Sequence, residues 1–141
     1  LTDGARMIKT PTYYVFKMYR HHQGATLLGS DLIGNGTVGQ GKNELPKVFE
    51  SVSEDESGVI TITLTNNSLE AAEDIDIQLT KDGAAYNVVE ASYVTGSMAA
   101  HNTFEEPEVV KEQEFTAFLK TNEGLQVKLP ACSVVSIRLK K

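Results

Sequence analysis

The sequence predicts an all-β protein: a two-sheet antiparallel β-sandwich with one helix at its N-terminal end. Three observations predict it. The C-terminal run Leu125-Gln-Val-Lys-Leu-Pro-Ala-Cys-Ser-Val-Val-Ser-Ile-Arg-Leu139 holds two alternating segments joined across a proline. Leu125, Val127 and Leu129 make one apolar row and Val135, Ile137 and Leu139 a second, which is the period-two pattern of half-buried strands. Similar segments recur upstream between turn-forming clusters, and the best helix candidate is residues 10–23.

That helix has recognisable ends. Thr10 is placed to cap it and Pro11 to occupy the first turn, where a missing N–H costs nothing. Val15, Met18, Tyr19 and His22 fall at i, i+3, i+4 and i+7, Phe16 widens the stripe, and Gly24 is positioned to end the helix in a left-handed conformation. Such an aromatic stripe needs a surface to cover it, either the sheet domain or a larger body.

Residues 29–44 contain five glycines in a polar stretch. No Gly-x-x-x-x-Gly-Lys-Ser/Thr run or strand–loop–helix context accompanies them, so a flexible connector is expected rather than a phosphate loop. From about Val48 the pattern is β. Ile60, Ile62 and Leu64 alternate with threonines, and Ile75, Ile77 and Leu79 alternate with polar residues. Further strands are expected over 86–94, 115–119, 125–129 and 134–139. Asn66-Asn67-Ser68, Lys81-Asp82-Gly83 and Asn122-Glu123-Gly124 are turns between them. The apolar phase slips at Val88-Val89, and a bulge or a switch of sheet there would put Tyr86 in line with Val89, Ala91 and Tyr93. The irregular stretch Met98–Val110 is too apolar to be an idle loop and is expected to pack onto something.

Composition bounds the rest. A chain of 141 residues buries roughly 70% of its unfolded surface and sustains one core. The net charge of -6, with no basic stripe, argues against a nucleic-acid partner. No apolar run reaches the roughly 18 residues that cross a bilayer, so no membrane partner is expected. No signal peptide is visible, and a start at Leu1 suggests an excised piece, so a cytoplasmic or a secreted location would depend on the segment before it. Cys132, the single cysteine, is expected to be a buried, inert thiol.

Candidate chemistry is thin. Glycoside hydrolysis needs two carboxyl groups about 5 to 9.5 Å apart, whereas Glu54-Asp55-Glu56, Glu73-Asp74 and Glu105-Glu106 with Glu108 are expected on solvated turns. No Asp-x-Asp-x-Asp-Gly calcium loop and no Gly-x-Ser-x-Gly element occurs. His21 and His22 are adjacent on the helix and point about 100° apart, so they do not converge on one metal. His22 is expected to pack near the helix end, His21 to face solvent, and His101 to anchor a loop with Asn102 and Thr103. Tyr86, Tyr93, Phe104, Phe115 and Phe118 could stack on sugar rings, but core or interdomain packing is the expected role.

Three blocks, residues 10–28, Ala100–Val110 and Leu129–Ile137, occur in the order found in the C-terminal part of glycoside hydrolase family 51 α-L-arabinofuranosidases, which this chain resembles over nearly its whole length. The resemblance implies a jelly-roll-like sandwich of the glycosyl hydrolase C-terminal type over 45–141, joined by 29–44 to residues 1–28, a remnant of a (β/α)8 catalytic barrel that includes its last helix. It further implies interdomain packing by Tyr13, Phe16, Tyr19, His101, Asn102 and Phe104, and partnership with the barrel and with further copies in an oligomer. In that family a segment from the protein's own N-terminus also contributes to the sandwich. The implied parent reaction removes terminal α-L-arabinofuranosyl groups from arabinan, arabinoxylan or arabino-oligosaccharides, with retention and without a cofactor. Both catalytic glutamates of that family lie on barrel strands, so this chain by itself is expected to be inactive. The alternative is an independent carbohydrate-binding module, which would display its aromatic rings in a groove.

Overall fold

The computed structural model describes all 141 residues. Their strands are β1 (Thr2–Asp3), β2 (Arg6–Met7), β3 (Thr26–Leu27), β4 (Thr37–Val38), β5 (Leu45–Pro46), β6 (Val48–Glu54), β7 (Ile60–Asn66), β8 (Glu73–Gln78), β9 (Asn87–Thr95), β10 (Gln113–Glu114), β11 (Phe118–Lys120), β12 (Gly124–Leu129) and β13 (Ser133–Lys140). One α-helix, α1 (Pro11–Tyr19), continues into a 3₁₀ turn at Arg20–His22. Six strands form one antiparallel sheet in the order β10-β9-β13-β7-β6-β3, and β11-β12-β8 form a second. The predicted sandwich is therefore present, with the two C-terminal segments in opposite sheets.

The core lies where the sheets face. Leu125, Val127 and Leu129 from β12 meet Val135, Ile137 and Leu139 from β13 and Ile60, Ile62 and Leu64 from β7. Register places Ile137 opposite both Ile62 and Ala91, at the middle of the large sheet. Val135 and Ile137 are completely buried, each worth on the order of 2 kcal/mol of transfer free energy.

Several local expectations change in detail. The expected strand over 115–119 divides between the two sheets. Phe115 N donates to Ala91 O at 3.0 Å beside the large sheet, and Phe118 pairs with Val127 in the small one. Phe115 is thus a buried crossover residue. The phase slip at Val88-Val89 is a real bulge: Arg138 pairs with Glu90 but Leu139 with Val88, which leaves Val89 without a place in the ladder. Val89 turns outward and is 55% exposed, while Val88 takes the inward position beside Tyr86, Ala91 and Tyr93. Cys132 is only half-buried. It occupies a turn with φ +47, and its N–H donates to Ser68 O at 2.7 Å.

The glycine-rich stretch carries β4, which pairs with β5, and a 3₁₀ turn over Gly41–Asn43. At the start of β12, Gly124 has φ +154, and an added Cβ would lie 2.1 Å from the Ile77 carbonyl oxygen. Replacing Ile137 with Ala should cost about 4 kcal/mol in urea unfolding. Gly124→Ala should cost about 2 kcal/mol or more through the backbone clash. Losses below about 1 kcal/mol for both would show that the sheets do not close on each other as described.

Candidate interdomain surface

The functional question centres on the outer face of the six-stranded sheet. Alternation sends Ser51 and Ser53 of β6, Thr61, Thr63 and Thr65 of β7, and Ser136 of β13 to this side, and register aligns Ser51, Thr63, Ser136 and Ser92 in one cross-strand row. Such a face is ordinarily wetted by solvent. Here Thr61, Thr63, Ser53 and Ser136 are buried, because α1 and the segments beside it lie over them. Buried hydroxyls are costly without partners, and the covering layer supplies some of them.

Thr10 accepts a hydrogen bond from Tyr13 N at 3.3 Å and caps α1, with Pro11 in the first turn. The helix packs on β9 and β13, where Tyr14 and Met18 form a small cluster with Val94 and Val110. Its last turn tightens at Arg20–His22, and Gly24, at φ +73, redirects the chain. The packed face therefore centres on Tyr14 and Met18. Phe16, expected on that face, is 73% exposed, and Tyr13 is 46% exposed. Both lie on the side of the helix turned from the sandwich.

His22 ties the helix end to the hydroxyl row. One ring nitrogen lies 2.7 Å from Ser53 Oγ and the other 2.8 Å from Thr63 Oγ1. A neutral imidazole can donate to one hydroxyl and accept from the other. Burial lowers the His22 pKa, and Tyr19, whose ring is 5.5 Å from His22, is raised by its own burial. His21 does not face solvent as expected. It is half-buried, and its Nε2 lies 4.0 Å from Glu90, which accepts from Arg138 at 2.9 Å. Arg138 also lies 3.6 Å from Asp55. Burial and the Arg138 charge lower His21, against the pull of Glu90. Burial alone would raise Glu90, but Arg138 and His21 outweigh it and the carboxyl is lowered.

The loop from Met98 to Val110 packs onto the N-terminal segment. Asn102 is its anchor: Nδ2 donates to Lys9 O at 2.8 Å and to Val110 O at 2.7 Å, while Oδ1 accepts from Val110 N at 2.7 Å. Thr103 Oγ1 accepts from Glu106 N at 3.0 Å and so satisfies neighbouring backbone in the loop. His101 is exposed, with Nδ1 2.9 Å from Ala99 O. Phe104 is half-buried beneath the Arg6 guanidinium, 4.8 Å from the ring centroid. Lys17 pairs with Glu112, joining the helix to the residue that precedes β10. The six residues expected at an interdomain contact thus separate. Asn102, Tyr19 and Phe104 serve the layer's own packing, and Tyr13, Phe16 and His101 remain accessible.

The carboxylates do not assemble into a site. Glu105, Glu106 and Glu108 lie exposed along one turn, with Glu108 paired to Lys111 at 2.8 Å. No three His, Cys, Asp or Glu side chains are grouped to hold a metal ion. Asp55 is lowered chiefly by hydrogen bonds from Ser57 and Val59 and organises its own turn.

Comparison with known proteins places this arrangement. Residues 1–133 match the family profile described as the α-L-arabinofuranosidase C-terminal domain. The chain is 38% identical over 140 residues to an intracellular exo-α-L-arabinofuranosidase of Bacteroides ovatus, covering 99% of this chain and 27% of that protein. The solved family 51 arabinofuranosidase of Xanthomonas axonopodis pv. citri superposes with a TM-score of 0.90 at 30% identity, over 99% of this chain and 28% of that one. An α-L-arabinofuranosidase of Thermotoga maritima, solved as an arabinose complex, shares the fold at a TM-score of 0.78 and 21% identity, over 97% of this chain and 30% of that one. The chain therefore spans less than a third of the length of these relatives.

The lowered histidines make an acid-sensitive joint. Neutral imidazoles are favoured in the folded state, so their contribution is fully present above the unfolded value of 6.5 and is lost as pH falls from there through the lower folded values. The unfolding midpoint should drop between neutral pH and a pH of about 5, before the carboxylates titrate. His21→Gln with His22→Gln should flatten that slope, and an unchanged slope in the double variant would assign the acid sensitivity elsewhere. His22→Ala should cost about 2 kcal/mol at neutral pH by stranding two hydroxyls.

Proposed function

This chain belongs to the α-L-arabinofuranosidase C-terminal domain family, and on that premise we propose that it is the non-catalytic sandwich of a larger α-L-arabinofuranosidase, where it supports the (β/α)8 barrel and, with it, an oligomer. The parent enzyme releases terminal α-L-arabinofuranosyl groups from arabinan, arabinoxylan or their oligosaccharides. It does so with retention, through a glycosyl-enzyme intermediate formed on barrel carboxylates about 5 Å apart. Glu105, Glu106 and Glu108 take no part in that chemistry.

The division of the aromatic residues carries this reading. The rings that could have served as sugar platforms are used for packing: Phe115 is buried, with Tyr93 at 5.7 Å and Phe118 at 6.2 Å between ring centroids, and Tyr86 and Phe104 are half-buried. The helix, by contrast, is held to the sandwich by Tyr14 and Met18 and turns Tyr13 and Phe16 away from it. A sugar-binding module needs rings displayed in a groove, whereas a docking domain needs an apolar ridge on a rigid support. The barrel of the same polypeptide is the occupant of that ridge, since most of the length of the relatives lies outside the matched region.

Calorimetric titration of the chain with arabino-oligosaccharides and arabinoxylan, with assay of released arabinose, should give neither saturable heat nor product. Saturable binding would make it a carbohydrate-binding module, and arabinose release would overturn the non-catalytic assignment. Phe16→Asp should change the isolated chain's stability by no more than about 0.5 kcal/mol, yet cost the intact enzyme about 2 kcal/mol by charging a covered contact. Equal effects in both would place Phe16 outside the barrel contact.

A further inference from the structure

Two asparagines make the same contact in this fold. Asn35 Nδ2 donates to Val48 O at 2.8 Å and Oδ1 accepts from Val48 N at 3.1 Å, just as Asn102 does with Val110. In each case a side-chain amide imitates one rung of an antiparallel ladder. Asn35 thereby fastens the glycine-rich segment to the first residue of β6, and the Lys47 N–H to Gly36 O bond of 2.8 Å adds to the tie.

The two clasps differ in exposure and in the residue next to each asparagine. Asn102 is buried and precedes the β-branched Thr103. Asn35 is exposed and precedes Gly36, whose N–H has no hydrogen-bond partner within the protein. Gly36 has no Cβ to crowd its peptide nitrogen, and the atoms nearest to where one would stand belong to the flexible Lys47 side chain, at 3.4 Å or beyond.

We propose that Asn35 is a spontaneous modification site, at which deamidation releases the glycine-rich segment from β6. The Gly36 nitrogen loses its proton to base and bonds to Asn35 Cγ. The Cγ–Nδ2 bond breaks and Nδ2 leaves as ammonia, giving a succinimide. Water then opens the ring to aspartate or isoaspartate. No oxidant or cofactor enters. Attack requires the Asn35 side chain to swing off Val48, so the clasp itself sets the rate. Once formed, the carboxylate of aspartate still accepts from Val48 N but has no proton to donate to Val48 O, which it now repels. Isoaspartate also lengthens the main chain by one methylene and moves the carboxylate out of register.

Ageing the 141-residue chain in mildly alkaline buffer, with peptide mapping of the products, tests this. Asn35 should convert before any other asparagine and Asn102 should remain intact. Conversion should run roughly thirtyfold slower than in the urea-unfolded chain, the protection expected of two net hydrogen bonds. Gly36→Ala should slow conversion further while preserving the hydrogen-exchange protection of the segment. Asn35→Asp should raise exchange over 29–48 and leave 98–112 unchanged. Asn35 surviving as long as Asn102, or an Asn35→Asp chain with unaltered exchange over 29–48, would overturn the proposal.

Discussion

Burial of β13 on both faces is the constraint on which the other layers depend. Its apolar side, Val135, Ile137 and Leu139, closes the sandwich, and its other side presents Ser136, which is also buried. A central strand covered twice would ordinarily be apolar on both faces. This one, with β7 beside it, carries hydroxyls on the second face, so the layer covering that face must bring polar groups in register with them. His22, which reaches Ser53 and Thr63 together, satisfies part of that requirement. The helix is consequently a structural layer of the domain.

The same requirement determines which side of the helix remains outside. Tyr14 and Met18 meet Val94 and Val110, His22 comes down on the hydroxyl row, and the Asn102 clasp holds the loop that supplies Val110. With these three contacts made, Tyr13 and Phe16 face away from the sandwich. The ridge proposed to meet the barrel thus arises from the way the sheet's polar face is covered. The exposed ion pairs around it, such as Arg6 with Asp3 and Lys111 with Glu108, add little stability.

Much of the architecture is legible as pattern. Period-two alternation locates the core strands, and the slip at Val88-Val89 marks a bulge because a bulge is the local way to shift phase. Thr10, Pro11 and Gly24 mark the helix because capping depends on near neighbours. The features that escape depend on distant partners. Threonines alternating with Ile60, Ile62 and Leu64 look the same whether solvent or a helix covers them. Phe16 and Tyr14 compete for the inner face of a short amphipathic helix, and Val94 and Val110, roughly 80 residues or more away, decide between them. Helix geometry alone sends His21 to solvent, but the turn tightens to 3₁₀ and Glu90 and Arg138 approach it from the sheet. Nor does periodicity separate Asn102, the buried clasp, from His101, its exposed neighbour. The family resemblance, carried by three ordered blocks, agrees with the profile match over residues 1–133.

Native-state hydrogen exchange on the 141-residue chain tests the central claim most directly, because it compares the opening of α1 with that of β7 and β13 in one experiment. If the helix layer is integral to the sandwich, the amides of Met18 to His22 exchange with an opening free energy close to that of Ile62 and Ile137. Exchange of the whole helix at the rate of an unstructured peptide, while both strands stay protected, would contradict the account.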